Sequence, residues 1–206
     1  MRQSLDRLRE SPSQTAGPYV HIGLTPNFCG IGGVYATDLG ATMVNDKTRG
    51  ERIGLKIRVL DGTGTPLKDA LIEIWQADPA GRFTHPDDPR GPVDSGFRGF
   101  GRCATDAAGG FWFRTVKPRP LPCEEDLAEA PHLDVSVFAR GMLHRLVTRV
   151  YFPDEAAANA ADPVLRDLDA AERALLTALP QPDGTLRFDI RLQAGADGPE
   201  TPFFAV

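Results

Sequence analysis

Four histidines, three cysteines and three tyrosines are the whole supply of readily metal-binding side chains in this 206-residue sequence. That scarcity limits the chemistry the chain can carry alone. Cys29, Cys103 and Cys123 are odd in number and widely spaced. They form neither a Cys-x-x-Cys pair nor a disulfide framework, and all three are expected to be reduced, buried thiols. A basic excess is also missing: 23 Lys and Arg stand against 28 Asp and Glu, a formal charge of −5. With no Lys/Arg run either, general attraction to nucleic acid is excluded. No apolar stretch approaches the length of a bilayer span. Residues 1–10 are charged throughout and lack the apolar core of a signal peptide, so the expected location is the cytoplasm. What the chain does have is turn chemistry. Its 21 glycines and 18 prolines make 39 residues, close to a fifth of the total. That is too many for a helical bundle, and a hydrophobic content of 41% is too high for a disordered chain. The length suits one domain, read as an arm over 1–24 and a single unit over 25–206.

Residues 11–24 read as an extended segment punctuated by Pro and Gly, and 29–50 as irregular. From 53 to 60, Leu55, Ile57 and Val59 alternate with polar residues, the period of a half-buried strand. Turn residues at 61–66 lead to a returning strand over 70–76, and a second turn at 105–110 leads to one over 111–116. Segments 133–140 and 144–152 read as a hairpin. Asp183-Gly184 opens a last strand at 185–193, where Leu186, Phe188, Ile190 and Leu192 alternate. Asp169 and Glu172 have the spacing of a capping box, predicting a helix over 170–179 that Pro180 stops. A further turn or two of helix is expected at 155–161. The pattern predicts an all-β fold: an antiparallel β-sandwich with long loops and one or two short helices. Two inserts, 77–104 and 117–131, are long enough to be functional.

Three constellations could carry chemistry. His132-Leu133-Asp134 places an imidazole and a carboxylate on one strand face. With His144 they make the donor set of a self-sufficient non-haem Fe(II) site, but the tight hairpin makes closure awkward, and a plain polar strand face explains the pair as well. Arg140 shares the parity of His132 and suits carboxylate recognition through its planar fork. The run Gly30-Ile31-Gly32-Gly33 lacks the Lys-Ser/Thr that would follow in a phosphate loop and reads as a flexible loop. No Gly-x-Ser-x-Gly elbow is present. A β-sandwich that only binds remains an open alternative.

Several segments together resemble the intradiol ring-cleavage dioxygenases. They are Ser13-Gln14-Thr15-Ala16-Gly17-Pro18-Tyr19, Leu71-Ile72-Glu73-Ile74-Trp75-Gln76-Ala77-Asp78, Phe113-Arg114-Thr115-Val116-Lys117-Pro118, and Phe138-Ala139-Arg140-Gly141 with Arg149-Val150-Tyr151-Phe152. The resemblance runs from about residue 11 to the end and implies an antiparallel β-sandwich. It also implies cleavage of a catechol with O₂ at a ferric ion held by two tyrosinates and two histidines.

The iron ligands do not carry over. The first tyrosine would follow Gly81-Arg82, where Phe83 stands; the second would follow Lys117-Pro118-Arg119-Pro120, where Leu121 stands. The His-x-His pair reads His132-Leu133-Asp134, and an Arg that precedes it in catalytic chains is replaced by Glu129 or lost in a gap. The resemblance therefore implies an iron-free chain with a degenerate site at Phe83, Leu121, His132 and Asp134. Its partner would be a homologous chain that holds the Fe(III). It further implies that Thr15, Gly17, Pro18, Tyr19 and Arg140 line the substrate pocket at the interface between the two chains, and that the arm over 1–24 contacts the partner.

Overall fold

The computed structural model describes residues 15–90, 96–106, 108–123, 127–196 and 198–205. Two four-stranded sheets face each other. The first has the order β4 (Gly110–Val116), β1 (Arg52–Leu60), β10 (Leu186–Arg191), β9 (Leu179–Pro180), and the second β3 (Phe100–Ala104), β2 (Leu71–Trp75), β7 (His132–Phe138), β8 (Leu146–Tyr151). A two-stranded ladder, β5 (Leu121–Pro122) with β6 (Ala128–Glu129), stands apart. Pairing is antiparallel except between β1 and β10, which run parallel. The alternation read from the sequence is the reason. Leu55, Ile57 and Val59 of β1 and Phe188 and Ile190 of β10 meet Ile72 and Ile74 of β2 and Leu133, Val135 and Val137 of β7 in one buried cluster. The outward face of the second sheet consequently carries Glu73, Trp75, His132, Asp134 and Ser136, and this face builds one of the two clefts described below.

Several expectations need correction. The strand after the 61–66 turn does not return beside β1. It crosses to the second sheet, because Ile72 and Ile74 are needed on the opposite wall of the core. Insert 77–104 contains β3, whose edge pairing covers β2. Within the supposedly extended 11–24 segment, α1 (Pro18–Leu24) forms, with Pro18 in the first turn where its missing N–H costs no hydrogen bond. Residues 11–14 of that segment lie outside the described residues. The capping box at Asp169 and Glu172 is present, but its helix α4 (Ala170–Leu176) stops early, because Leu179 and Pro180 are taken up as β9 against β10. The turn expected at 155–161 is α2 (Ala156–Ala161), and a further short helix, α3 (Pro163–Arg166), follows it under an Asp162 cap. All three cysteines are free. Cys29 is exposed rather than buried, Cys103 and Cys123 are half-buried, and burial pushes the Cys103 thiol up. Among the described residues no helix is long and apolar enough to cross a membrane.

Candidate functional site

The structure places the sequence-selected residues in two clefts at opposite ends of β7. His132 opens the strand and Arg140 lies in the turn past its end. At roughly 3.3 Å per residue they are separated by on the order of 25 Å. The expectation that Arg140 shares a working face with His132 is therefore not met, since the strand ends at Phe138.

The first cleft gathers Phe83, Leu121, His132 and Asp134 as walls of one hollow of about 360 Å³, together with Arg90, Glu129 and Arg149. Each wall has a local cause. Asp78 accepts from the amides of Ala80 and Arg82, turning the chain after β2 so that Phe83 stacks on Trp75, ring centroids 5.7 Å apart. The Phe83 amide donates to Asp88, whose carboxylate is held well below the usual range by Arg90 and by backbone amides. Lys117, bonded to Asp154 and Glu155 at 2.7 and 2.6 Å, anchors the proline-rich run that leads to Leu121. Leu121 lies opposite Glu129 in the β5–β6 ladder.

The centre of this cleft is an arginine. Hairpin register sets Arg149 of β8 beside Asp134 of β7. Its guanidinium lies 3.1 Å from Asp134 and 3.3 Å from Glu129. The His132 Nδ1–H donates to the Ala130 carbonyl at 2.7 Å, and Nε2 faces Glu129 and Asp134 at 3.6 and 3.7 Å. Burial works against the charge on Arg149, but Tyr151, Asp134 and Glu129 together outweigh it, so its pKa is raised. Behind it Tyr151 is fully buried, and its hydroxyl reaches Asp162 at 3.3 Å. Asp162 in turn accepts from the amides of Ala130, Val164 and Leu165. These residues do not fit a ferric ion. Phe83 and Leu121 offer only hydrocarbon, and the remaining anionic donors face a fixed cation. Among the described residues no three His, Cys, Asp or Glu side chains are grouped to hold a metal. The alternative Fe(II) triad is also overturned, because His144 lies in the β7–β8 turn, at the far end of the hairpin from His132.

The second cleft, of about 440 Å³, is lined mainly by hydrocarbon from α1 and the loop after it, with Lys68, Asp69 and Arg140 at its polar side. It includes Gly17 and Pro18. Three contacts frame it. The Gly141 amide donates to the Thr15 hydroxyl at 2.7 Å. Gly141 turns the chain at φ 89, a conformation glycine adopts without steric cost. His21 Nε2–H donates to the Asp69 carbonyl at 3.1 Å. Arg140 Nε donates to the Asp69 carboxylate at 2.5 Å. Thr15 thus holds the frame, while Tyr19 is 85% exposed and turned to solvent. Sequence reasoning missed Lys68, Asp69 and His21 here, and Glu129 with Arg149 as the filling of the first cleft. Only the hairpin register, which sets Arg149 opposite Asp134, could have revealed the latter pair.

With both clefts defined, comparison with known proteins settles the family. A family model described as a dioxygenase, Dioxygenase_C, matches residues 25–194. The chain is 43% identical over 209 residues to a protocatechuate 3,4-dioxygenase alpha chain of Burkholderia cepacia, covering 97% of this chain and 98% of that one. It is 38% identical over 205 residues to the alpha chain of Pseudomonas putida, with the same coverage of each. A beta chain of Burkholderia cepacia is 39% identical over 132 residues, 63% of this chain and 56% of that one. Among solved structures, catechol 1,2-dioxygenase from Acinetobacter sp. ADP1 shares the fold at a TM-score of 0.60 and 20% identity, covering 82% of this chain and 61% of that one. The chain belongs to the intradiol ring-cleavage dioxygenases, a family of oxidoreductases.

Proposed function

We propose that this chain is the iron-free, alpha-type subunit of a protocatechuate 3,4-dioxygenase. Its homologous beta-type partner holds the Fe(III), and the assembly cleaves protocatechuate with O₂ to 3-carboxy-cis,cis-muconate in cytoplasmic aromatic catabolism. The observation that carries this reading is the division of labour along β7. One end holds the family's ligand positions as Phe83, Leu121, His132 and Asp134 closed around Arg149. The other end holds a larger, mainly hydrocarbon cleft that includes Gly17, Pro18 and Arg140. A pocket so far from the chain's own degenerate site serves a metal brought by another chain. Its wall includes the exposed apolar side chains Ile22, Phe28 and Ile31, and Tyr19, Val34 and Tyr35, close to them in sequence, are exposed too. Such a surface suits burial by a partner, and in this reading the arm over 1–24 contacts that partner.

In this reading Gly17 and Pro18 bring backbone close to the bound catechol, and Arg140, its charge balanced by Asp69, offers its remaining N–H donors to an anionic substrate and product. Thr15 holds the turn that carries Arg140, and Tyr19 meets the partner. The chain alone is inactive. The test is iron content and colour. The chain expressed alone should be colourless and lack stoichiometric iron, and co-expression with a beta-type chain should give a red-brown complex from tyrosinate-to-iron charge transfer. Stoichiometric iron in the isolated chain would overturn the reading.

A further inference from the structure

The second cleft has three charged side chains, Lys68, Asp69 and Arg140, and they are not equivalent. Arg140 is committed: its Nε and one Nη both meet the same Asp69 oxygen. That pair is self-neutral. Lys68 has no carboxylate partner among the described residues, so it alone gives the cleft its net positive charge. The backbone around it is held on both sides. The Leu67 amide donates to the Val59 carbonyl at 2.9 Å, Leu67 packs on the core, and Ala70 is fully buried. Lys68 is thus presented at the cleft from a fixed stretch of chain, while the rest of the wall is hydrocarbon.

We propose that Lys68 is a specificity-determining residue of this cleft. Its ammonium favours a catechol bearing a ring carboxylate over an uncharged catechol, and Asp69 moderates that preference by neutralising Arg140. This rests on the proposed function, in which the cleft lines the substrate pocket of the assembled enzyme. The physical ground is charge balance. An aromatic ring gains from the hydrocarbon wall whether or not it is charged, and only the carboxylate gains from an unbalanced cation.

The experiment uses the assembled two-chain enzyme and the ratio of kcat/KM for protocatechuate to that for catechol. Lys68→Gln should lower this ratio about two- to fivefold, the range of a solvent-accessible ion pair. The loss should reside mainly in KM and shrink in roughly 1 M salt. Lys68→Arg should restore the ratio. Asp69→Asn, which removes the neutralising charge, should raise it. An unchanged ratio in Lys68→Gln, or equal loss on both substrates, overturns the inference. Arg140→Ala and Gly17→Val separate that failure from a deeper one. If they impair turnover while the Lys68 variants leave the ratio unmoved, only the role of Lys68 falls. If they are silent on both substrates, the cleft is not the substrate pocket, and the pocket-lining part of the proposed function falls with it.

Discussion

Replacing Arg149 by methionine removes the cation at the centre of the first cleft and leaves Asp134 and Glu129 facing each other and His132. Each contact, at 3.1 and 3.3 Å, has a Coulomb energy of about 5 kcal/mol at an effective dielectric of ~20. Holding the guanidinium out of water costs several kcal/mol in return. Breaking a fully buried pair costs about 3–5 kcal/mol, and an exposed pair about 0–1. With Arg149 at 19% side-chain exposure, Glu129 at 21% and Asp134 at 34%, this cluster lies between those limits. The expected destabilisation is about 2–3 kcal/mol, a fall in Tm of about 5–10 °C for a chain of this size. Urea unfolding followed by circular dichroism measures it, and a double-mutant cycle with Asp134→Asn isolates the pair. A coupling of about 1 kcal/mol or more is expected, since the second change removes one of the stranded carboxylates. Arg149→Lys should lie between wild type and Arg149→Met, because a point charge replaces the fork. An Arg149→Met chain as stable as wild type, or a coupling near zero, would refute the reasoning and show that the cleft tolerates its carboxylates without the cation.

Gly17→Val should fold normally, since a Cβ there meets no atom within 4 Å and the backbone is extended at φ −118. It should nonetheless lower turnover of the assembled enzyme about tenfold or more by displacing the substrate, and an unaltered kcat/KM would remove Gly17 from the pocket. Burial raises the Tyr151 phenol above its ordinary value of about 10, against the opposing pull of Arg149. The folded chain therefore keeps a proton that the unfolded chain releases. The linked stability is complete below pH 10 and declines as pH rises beyond it. Urea midpoints between pH 8 and 11 should fall more steeply in wild type than in Tyr151→Phe, and parallel profiles would contradict this. Asp169→Ala removes the acceptor for the Glu172 amide. The expected loss is about 1 kcal/mol, read as a drop of about 2–4 °C in Tm; no drop would show that the box adds nothing to packing of α4.

How much of this was legible in the sequence depended on whether the physical cause was local. Strands β1 and β10 show plainly because one face of each is buried, so apolar residues alternate. Their parallel pairing does not show, because nothing near Ile57 names Phe188, 131 positions on, as its neighbour. The Asp169–Glu172 box is a local exchange of hydrogen bonds and could be read directly. Helix α1 was hidden because Pro18 breaks a helix in the middle yet suits its first turn. Phe83, Leu121, His132 and Asp134 were selected by resemblance, and the fold does bring them into one cleft. The arginine at its centre was not foreseen, because Arg149 reaches Asp134 only through hairpin register. Lys68 and Asp69 escaped for a similar reason: their roles depend on which charge Arg140 has already met.

The separation of the two clefts along β7 also divides the ways in which the protein can be altered. At the His132 end, side chains answer to one another through charge and packing, so substitutions there should register in how much folded protein accumulates. At the Arg140 end, exposed side chains impose few demands on folding, so substitutions there should register in the rate per assembled enzyme. A library scored for both abundance and specific activity would therefore sort into two nearly independent sets. A designer could repack the His132 end for heat resistance while leaving the other free to be reshaped for new catechols.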